Sequence, residues 1–169
     1  MTLSSLIVPA VVIELLLSVA WNKLYFSWGL PVYVRRIRVP DNFSWQLPIT
    51  SMEAGVARRF WPVVAFSGIS NERCGFRESF FAGFNLLRVP YAPIMRGVIV
   101  LDAARQEIRV AGLCNWYVLF AGAFIFGPAA LRDAKLIPMV LILLGGSYVL
   151  QRVRFNHVAE TVASAVKSG

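Results

Sequence analysis

Three long apolar segments constrain the fold of this chain more than any other feature of its sequence. Leu3 to Ala20 carries a single charge, Leu113 to Leu131 carries none over 19 residues, and Leu136 to Leu150 carries none over 15. A helix rises about 1.5 Å per residue, and about 20 apolar residues cross the hydrocarbon layer. The third segment reaches that length only if Lys135 and Gln151 extend their polar ends outward. The sequence therefore predicts three transmembrane helices.

These predicted spans divide the chain into five parts. The hydrophobic fraction of 57% exceeds the roughly 45–50% of soluble domains, as expected for an integral membrane protein. The parts are transmembrane helix 1 (residues 1–21), a β-rich domain near the membrane (22–112), transmembrane helix 2 (113–131), transmembrane helix 3 (136–151) and an interfacial tail (152–169). No basic residue precedes the first apolar run, so we expect an uncleaved signal anchor; the alternative is a signal peptide cleaved after Ala20.

Basic residues predict the orientation of these spans. The formal net charge of +8 comes mainly from 14 arginines. Lys23 follows the first span, Arg109 precedes the second, and Arg152 and Arg154 follow the third. The positive-inside rule then places the N-terminus outside, with the β-rich domain and the C-terminus in the cytoplasm. We expect a multi-pass protein of a bacterial-type inner membrane, whose positive charge faces anionic lipid or acidic subunits and not nucleic acid.

The middle region has the patterns of a small antiparallel sheet. Val32 to Val39 alternates in character between prolines 31 and 40, as an edge strand would. Arg96 to Val110 predicts a hairpin whose turn opens on Asp102. Further strands are predicted over Phe60–Phe66, Phe76–Phe81 and Phe84–Val89, and a helix over Ser51–Arg59. The expected fold class is thus membrane α plus β, with three transmembrane helices (one N-terminal, two in a C-terminal hairpin) around an inserted antiparallel β-rich domain.

The hairpin also carries a resemblance. From Met95 to Gly112 the chain is a strand, a turn and a strand that run directly into an apolar segment. In this it resembles the PH-like domains of some bacterial membrane proteins, in which a compact antiparallel sheet accompanies the spans. The resemblance implies a β-domain that binds lipid headgroups. In those proteins the spans precede the sheet, whereas here they lie on both sides of it.

A few reactive side chains lie in or beside the apolar segments. Glu14 is the one acidic residue within them; we favour helix contact over proton transfer, because no second acid or histidine accompanies it. His157, the only histidine, is expected at headgroup level, the alternative being a haem or chlorophyll ligand. Cys74 and Cys114 lack metal-site spacing. We expect them to be free thiols, with a disulfide as the alternative.

Aromatic and small residues indicate packing within a membrane. Trp21, Trp28 and Trp116 flank the apolar segments, where an interfacial belt would place them. Contact with a pigment or quinone ring is the alternative interpretation. Small residues that let helices approach closely occur at Ala123, Gly127, Gly145 and Gly146.

Two functions stay open, and neither is enzymatic. No dinucleotide loop, phosphate loop, nucleophile elbow or HExxH motif is present in the sequence, and we predict no cofactor. The first function is a non-catalytic accessory or structural subunit that docks on and stabilises a larger membrane complex, such as a respiratory or photosynthetic assembly. The second is a stand-alone or oligomeric membrane protein whose basic PH-like domain binds anionic lipid headgroups. Partner or lipid contacts are expected at Glu14, Arg35, Arg36, Arg38, Arg58, Arg59, Ala123, Gly127, Gly145, Gly146, Arg152 and Arg154.

Overall fold

A five-stranded antiparallel sheet forms the centre of the structure. The structure is a computed structural model that describes residues 4–40, 43–57, 64–78, 95–122, 124, 127–133 and 135–168. The strands are β1 (Pro31–Arg38), β2 (Val64–Ser70), β3 (Arg73–Glu78), β4 (Arg96–Asp102) and β5 (Glu107–Leu113). They lie side by side in the order β1-β5-β4-β3-β2, and every neighbouring pair is antiparallel. β1 and β2 are therefore the edge strands.

The edge strand and the hairpin that the sequence predicts are confirmed. β1 begins at Pro31, where a residue without a backbone N–H is tolerated. β4 and β5 form the hairpin, and the Asp102 carboxylate accepts a hydrogen bond of 3.1 Å from the backbone N–H of Arg105 in its turn. β2 and β3 are displaced from their predicted positions because their turn lies at residues 71–72, between Ser70 and Arg73. The strand predicted over residues 84–89 lies outside the described residues.

Six helices surround this sheet in the described part of the chain. They are α1 (Ser4–Val19), α2 (Lys23–Ser27), α3 (Ile49–Ala57), α4 (Trp116–Ala121), α5 (Gly127–Arg132) and α6 (Leu136–Ser168). The side chain of Asn22 caps α2 by accepting hydrogen bonds from the backbone N–H groups of Leu24 and Tyr25. α3 begins two residues before the helix predicted over Ser51–Arg59, and residues 58–59 of that prediction lie outside the described residues.

The prediction of three transmembrane helices is wrong. Among the described residues, only α6 is long and apolar enough to cross a membrane. α1 has 16 residues. The described part of the predicted second span holds the end of β5 and the short helices α4 and α5. Pro128, the second residue of α5, has no N–H, which is tolerated in the first turn of a helix. Apolar composition does not show where strands and helices begin and end, because it measures hydrophobicity and not backbone conformation.

The predicted third span and the predicted interfacial tail are one helix. α6 runs without interruption for 33 residues, and its second half lies across the sheet. Phe155, Val158, Val162 and Val166, which belong to the predicted interfacial tail, are all buried against that sheet. A helical repeat of apolar residues shows that a face is covered; it does not show whether lipid or protein covers it.

Two opposite glycines make room for aromatic rings on the face of the sheet that α6 covers. Gly97 on β4 pairs with Gly112 on β5. A Cβ at Gly112 would lie 2.6 Å from the ring of Phe155, and a Cβ at Gly97 would overlap the ring of Phe76. The Phe155 ring also stacks on Tyr33 of β1, with centroids 5.8 Å apart. Phe155 therefore fixes where α6 crosses the sheet.

Candidate functional site

Exposed apolar side chains are confined to one part of the molecule. Among the described residues, every exposed large apolar side chain lies before Arg35 or after Val118. These side chains occupy α1, α2 and its connection to β1, the first half of β1, the region of α4, the first half of α6 (Leu136–Leu150) and Val153 just beyond it. The start of β1, the end of β5 and Phe155 of α6 all lie at the same end of the sheet. We call this part of the molecule the apolar end.

The small residues of the apolar end lie in different surroundings. Gly145 and Gly146 of α6 are exposed, and no atom of the described residues lies within 4 Å of a Cβ built on either. A Cβ on Gly127 would lie 3.2 Å from the carbonyl oxygen of Gly122. Ala123 lies outside the residues whose side chains are described. The glycines of α6 thus form an open surface.

A layer of buried arginines separates the apolar end from the rest of the sheet. Arg77, Arg96 and Arg154 are only 8%, 0% and 3% exposed. Arg77 and Arg96 are direct neighbours on β3 and β4, at the end of the sheet to which the apolar helices attach. We call these three residues the arginine layer. Sequence analysis named only Arg154 among them as a contact residue, because it could not place Arg77 and Arg96 in the strand register.

Arg96 connects the sheet to the segments before β1 and after β5. Its guanidinium donates hydrogen bonds to the backbone carbonyls of Tyr25, Trp28 (3.5 Å) and Cys114 (2.7 Å), and it lies 4.0 Å from the Tyr25 ring centroid. Burial lowers the pKa of Arg96, against the influence of Tyr25 and Glu14; arginine stays charged all the same. A Cβ at Gly29 would lie 2.7 Å from this guanidinium. Glycine at that position lets the chain pass Arg96.

Glu14 holds helices of this same chain together. Its buried carboxylate accepts a hydrogen bond of 2.8 Å from the Tyr25 hydroxyl and one of 2.9 Å from the backbone N–H of Trp116. These partners belong to α2 and α4, and α1 packs against both helices. The position of Glu14 therefore suits the predicted helix contact, with partners inside the chain.

The third member of the layer forms a buried ion pair. Arg154 of α6 contacts the carboxylate of Glu78 at the end of β3, and their side chains are 3% and 12% exposed. Burial raises the pKa of Glu78 to about 7, although the positive charge of Arg154 acts in the opposite direction. The pair connects α6 to the end of the sheet where the apolar helices attach.

The arginines predicted to form one contact group lie on two faces of β1. Successive side chains of a strand point to opposite faces. Arg35 faces α6, where it donates a hydrogen bond of 2.9 Å to the side-chain amide oxygen of Asn156. Arg36 and Arg38 are exposed on the other face. Arg58 and Arg59 lie outside the described residues.

The exposed face of the sheet carries a row of arginines. Arg36 on β1 stands opposite Arg109 on β5, and the register continues through Val100 on β4 to Arg73 on β3. All three arginines are exposed. Like charges at opposite positions repel, so this arginine row favours an anionic partner. Sequence analysis missed Arg73 and Arg109 as contacts, because only the strand order brings them beside Arg36.

A groove of about 510 Å³ lies between α6 and β1. Its walls include Tyr33, Tyr148, Arg152, Val153, Asn156 and His157. It lies where the exposed first half of α6 meets the half that packs on the sheet. The side chain of Arg152 is exposed and has no ion pair or hydrogen bond with any described residue.

Both thiols are free, as predicted. Burial raises the pKa of Cys74 to about 11, and burial also raises the pKa of Cys114. The thiolate is the reactive form, so neither environment activates a nucleophile. Over the described ranges, no group of three or more His, Cys, Asp or Glu side chains is placed to hold a metal ion.

Comparison of the chain with protein-family models, with curated proteins and with solved structures finds no match. The resemblance of the hairpin to PH-like domains therefore gains no support from known proteins.

Proposed function

We propose that this chain is a non-catalytic accessory protein of a membrane, held there by its apolar end, which docks on a larger membrane complex. The observation that carries the proposal is the segregation of exposed apolar side chains into the apolar end. Soluble monomers rarely expose contiguous apolar patches larger than a few hundred Å². The basic residues beside the apolar end favour a cytoplasmic position for the sheet.

The first half of α6 supports contact with lipid. Its exposed apolar residues include Ile137, Met139, Leu141, Ile142 and Leu144, which at 100° per residue surround the helix. A helix that is apolar all round is normally buried in protein or in a membrane. Only 12% of the most apolar stretch of α6 is buried within the structure. The rest of this chain therefore does not cover that stretch.

The junction between helices and sheet has the composition of a membrane interface. Trp28 is 68% exposed beside Trp116, with their ring centroids 5.5 Å apart. Trp21 and Tyr25 stack on the guanidinium groups of the arginine layer. Amphipathic rings and guanidinium groups are both favoured at headgroup level. This arrangement supports the belt interpretation over contact with a pigment or quinone.

The exposed glycines of α6 and the contacts of the buried ionisable side chains support an accessory role. Gly145 and Gly146 offer a surface on which the backbone of another helix could pack closely, the main mode of helix association in lipid. The buried ionisable side chains Glu14, Arg77, Glu78, Arg96 and Arg154 contact aromatic rings, backbone groups or each other. They join elements of the fold, which suits a structural protein.

Native complexes test this proposal directly. After extraction in mild detergent, we expect the chain to comigrate on a native gel with a fixed set of other subunits, identified by mass spectrometry. Gly146→Leu keeps α6 apolar but blocks close helix approach, so it should release the chain from the complex while leaving it in the membrane fraction. Val149→Leu is the matched control. Recovery of the wild-type chain as a lone small species would refute the accessory role.

The arginine row supports the second candidate function, recognition of anionic lipid by the sheet. Each arginine near a charged leaflet contributes about 1 kcal/mol, and Arg36, Arg73 and Arg109 act from one face. In that case the chain alone should bind anionic vesicles more strongly than neutral ones. The difference should disappear at high salt, because exposed charges are screened.

A further inference from the structure

We infer that the groove between α6 and β1 binds one anionic phospholipid, with the lipid phosphate at Arg152 and the acyl chains along the first half of α6. This inference rests on the proposed function, because it requires the apolar end to lie in lipid. It adds a ligand class and a specific position on the protein.

The groove lies at the level where a headgroup would be placed. Along α6, Val149 and Leu150 are exposed, Arg152 and Val153 are exposed at the groove, and Phe155 is buried against the sheet. The apolar surface therefore ends within one helical turn of the cationic side chain. A phospholipid has the same division between its acyl chains and its phosphate.

The charge of the groove is positive. Arg35 and His157 lie 4.0 Å and 3.9 Å from the carboxylate of Glu160. Arg152 adds a positive charge with no carboxylate beside it. An arginine presents several donors in a planar fork that suits the oxygens of a phosphate. The phosphate would thus supply the partner that Arg152 lacks in the described chain.

The polar wall of the groove is held in place by hydrogen bonds. The side-chain carbonyl oxygen of Asn156 accepts hydrogen bonds from the Tyr33 hydroxyl (3.1 Å) and from Arg35 (2.9 Å). Its amide nitrogen donates to Glu160 at 2.8 Å. Because these groups are fixed before a ligand arrives, binding costs little ordering at this wall. The volume of about 510 Å³ lies within the usual range for small-ligand sites.

Native mass spectrometry of the full chain tests the site with two defined lipids. The purified protein is offered phosphatidylglycerol, which is anionic, or phosphatidylcholine, which is zwitterionic. We expect one phosphatidylglycerol to be retained per chain, with a preference of about fivefold over phosphatidylcholine, the effect of one surface cation. Arg152→Gln should remove this preference and Arg152→Lys should keep most of it. Arg105→Gln, at the exposed β4–β5 turn at the far end of the sheet, is the matched control and should change nothing.

The outcomes separate this inference from the proposed function. If the chain inserts into neutral and anionic vesicles alike but shows no selective retention, the lipid site is refuted and the membrane role stands. If it associates with no vesicle, both fail. If Arg105→Gln and Arg152→Gln lost the preference for phosphatidylglycerol to the same extent, the preference would be a general effect of charge, and the site would also be refuted. Displacement of the lipid by millimolar glycerol phosphate would assign the groove to a soluble phosphate and not to lipid. Thermal unfolding of each variant confirms that it is folded.

Discussion

Arg77 on β3 and Arg96 on β4 stand directly opposite each other in the sheet, and both are buried. Like charges in such positions normally repel. Here each guanidinium lies over a different aromatic ring, Arg77 at 4.8 Å from the centroid of Trp21 and Arg96 at 4.0 Å from that of Tyr25. Both rings come from the short segment between α1 and β1. The two arginines therefore fix the position of the N-terminal helices on the sheet.

Arg96→Met should destabilise the fold by about 3–5 kcal/mol, the usual cost of removing one partner from a buried charged network. The backbone carbonyls of Tyr25, Trp28 and Cys114 would lose their donor. Arg96→Lys should cost less but should not be neutral, because an ammonium group cannot reach the separated carbonyls as a fork does. Denaturant unfolding in mild detergent measures both changes.

Arg36→Met provides the control for this first prediction. Arg36 is exposed on the other face of β1, with a side chain 64% exposed, and surface substitutions usually change stability by no more than about 0.5 kcal/mol. If Arg96→Met lowered the free energy of unfolding no more than Arg36→Met does, the arginine layer would have no structural role.

The pH dependence of stability should reveal the raised pKa of Glu78. Burial raises this pKa to about 7 from its ordinary value of 4.5, so between these values the folded chain binds a proton that the unfolded chain has released. The contribution of Glu78 is therefore fully present below about pH 4.5 and is lost as the pH rises towards 7. We expect unfolding midpoints to fall across this window, and Glu78→Gln to flatten the profile.

A control variant identifies the source of that profile. Glu107→Gln removes a half-buried carboxylate at the start of β5, and it should leave the slope in place. If the unfolding midpoint of Glu78→Gln fell with pH as steeply as that of the wild type, the pH dependence could not be assigned to Glu78.

Those strands of the sheet that local sequence signals mark could be predicted from the sequence. The alternation between Pro31 and Pro40 gave β1, and the Asp102 turn gave the β4–β5 hairpin. The hydrophobicity of Leu113 to Leu131 predicted one span, yet its described part holds the end of β5 and the helices α4 and α5. Where such elements begin and end depends on backbone geometry, to which an average of side-chain hydrophobicity is insensitive.

Gly112→Ala should destabilise the packing of α6 on the sheet by about 1–3 kcal/mol, the cost of overpacking a core. The added Cβ would lie 2.6 Å from the Phe155 ring. Phe155→Leu should partly relieve this cost in the double variant, giving a coupling energy that a thermodynamic cycle can measure. Gly68→Ala is the matched control, since a Cβ there meets no atom within 4 Å. Equal effects at positions 68 and 112 would contradict the close approach of Phe155.

Glu14→Gln should preserve the contact of α1 with α2 and α4, because an amide oxygen can accept both hydrogen bonds that the carboxylate now accepts. Glu14→Leu removes this acceptor and should cost about 1–3 kcal/mol. Hydrogen exchange of the backbone amides of α1 measures the difference, with Leu16→Ala on the exposed face of α1 as the control. If both Glu14 variants abolished the activity of the protein while the α1 amides stayed protected from hydrogen exchange, Glu14 would serve proton transfer and not helix contact.

The contact residues were harder to predict than the strands that carry them. Sequence analysis grouped Arg35, Arg36 and Arg38 because they are neighbours in the chain, but β1 sends Arg35 towards Asn156 of α6 and the other two to the opposite face. Arg109 joins that face through the order of the strands. Which residues share a surface depends on register and strand order, and both arise from contacts between distant parts of the chain.

The exposed arginines of the sheet should distinguish the two candidate functions. Changing Arg36, Arg38 and Arg109 together to Gln removes three charges from one face without touching the Arg35 contact with α6. We expect this variant to dissociate from the native complex while its relative binding to anionic and neutral vesicles stays that of the wild type, because these arginines then contact an acidic partner. Gln at Arg105, Arg132 and Lys167 removes the same charge elsewhere on the exposed surface and should preserve the complex. A wild-type preference for anionic vesicles that fades with salt and disappears only in the sheet variant, with the complex intact, would establish lipid recognition in its place.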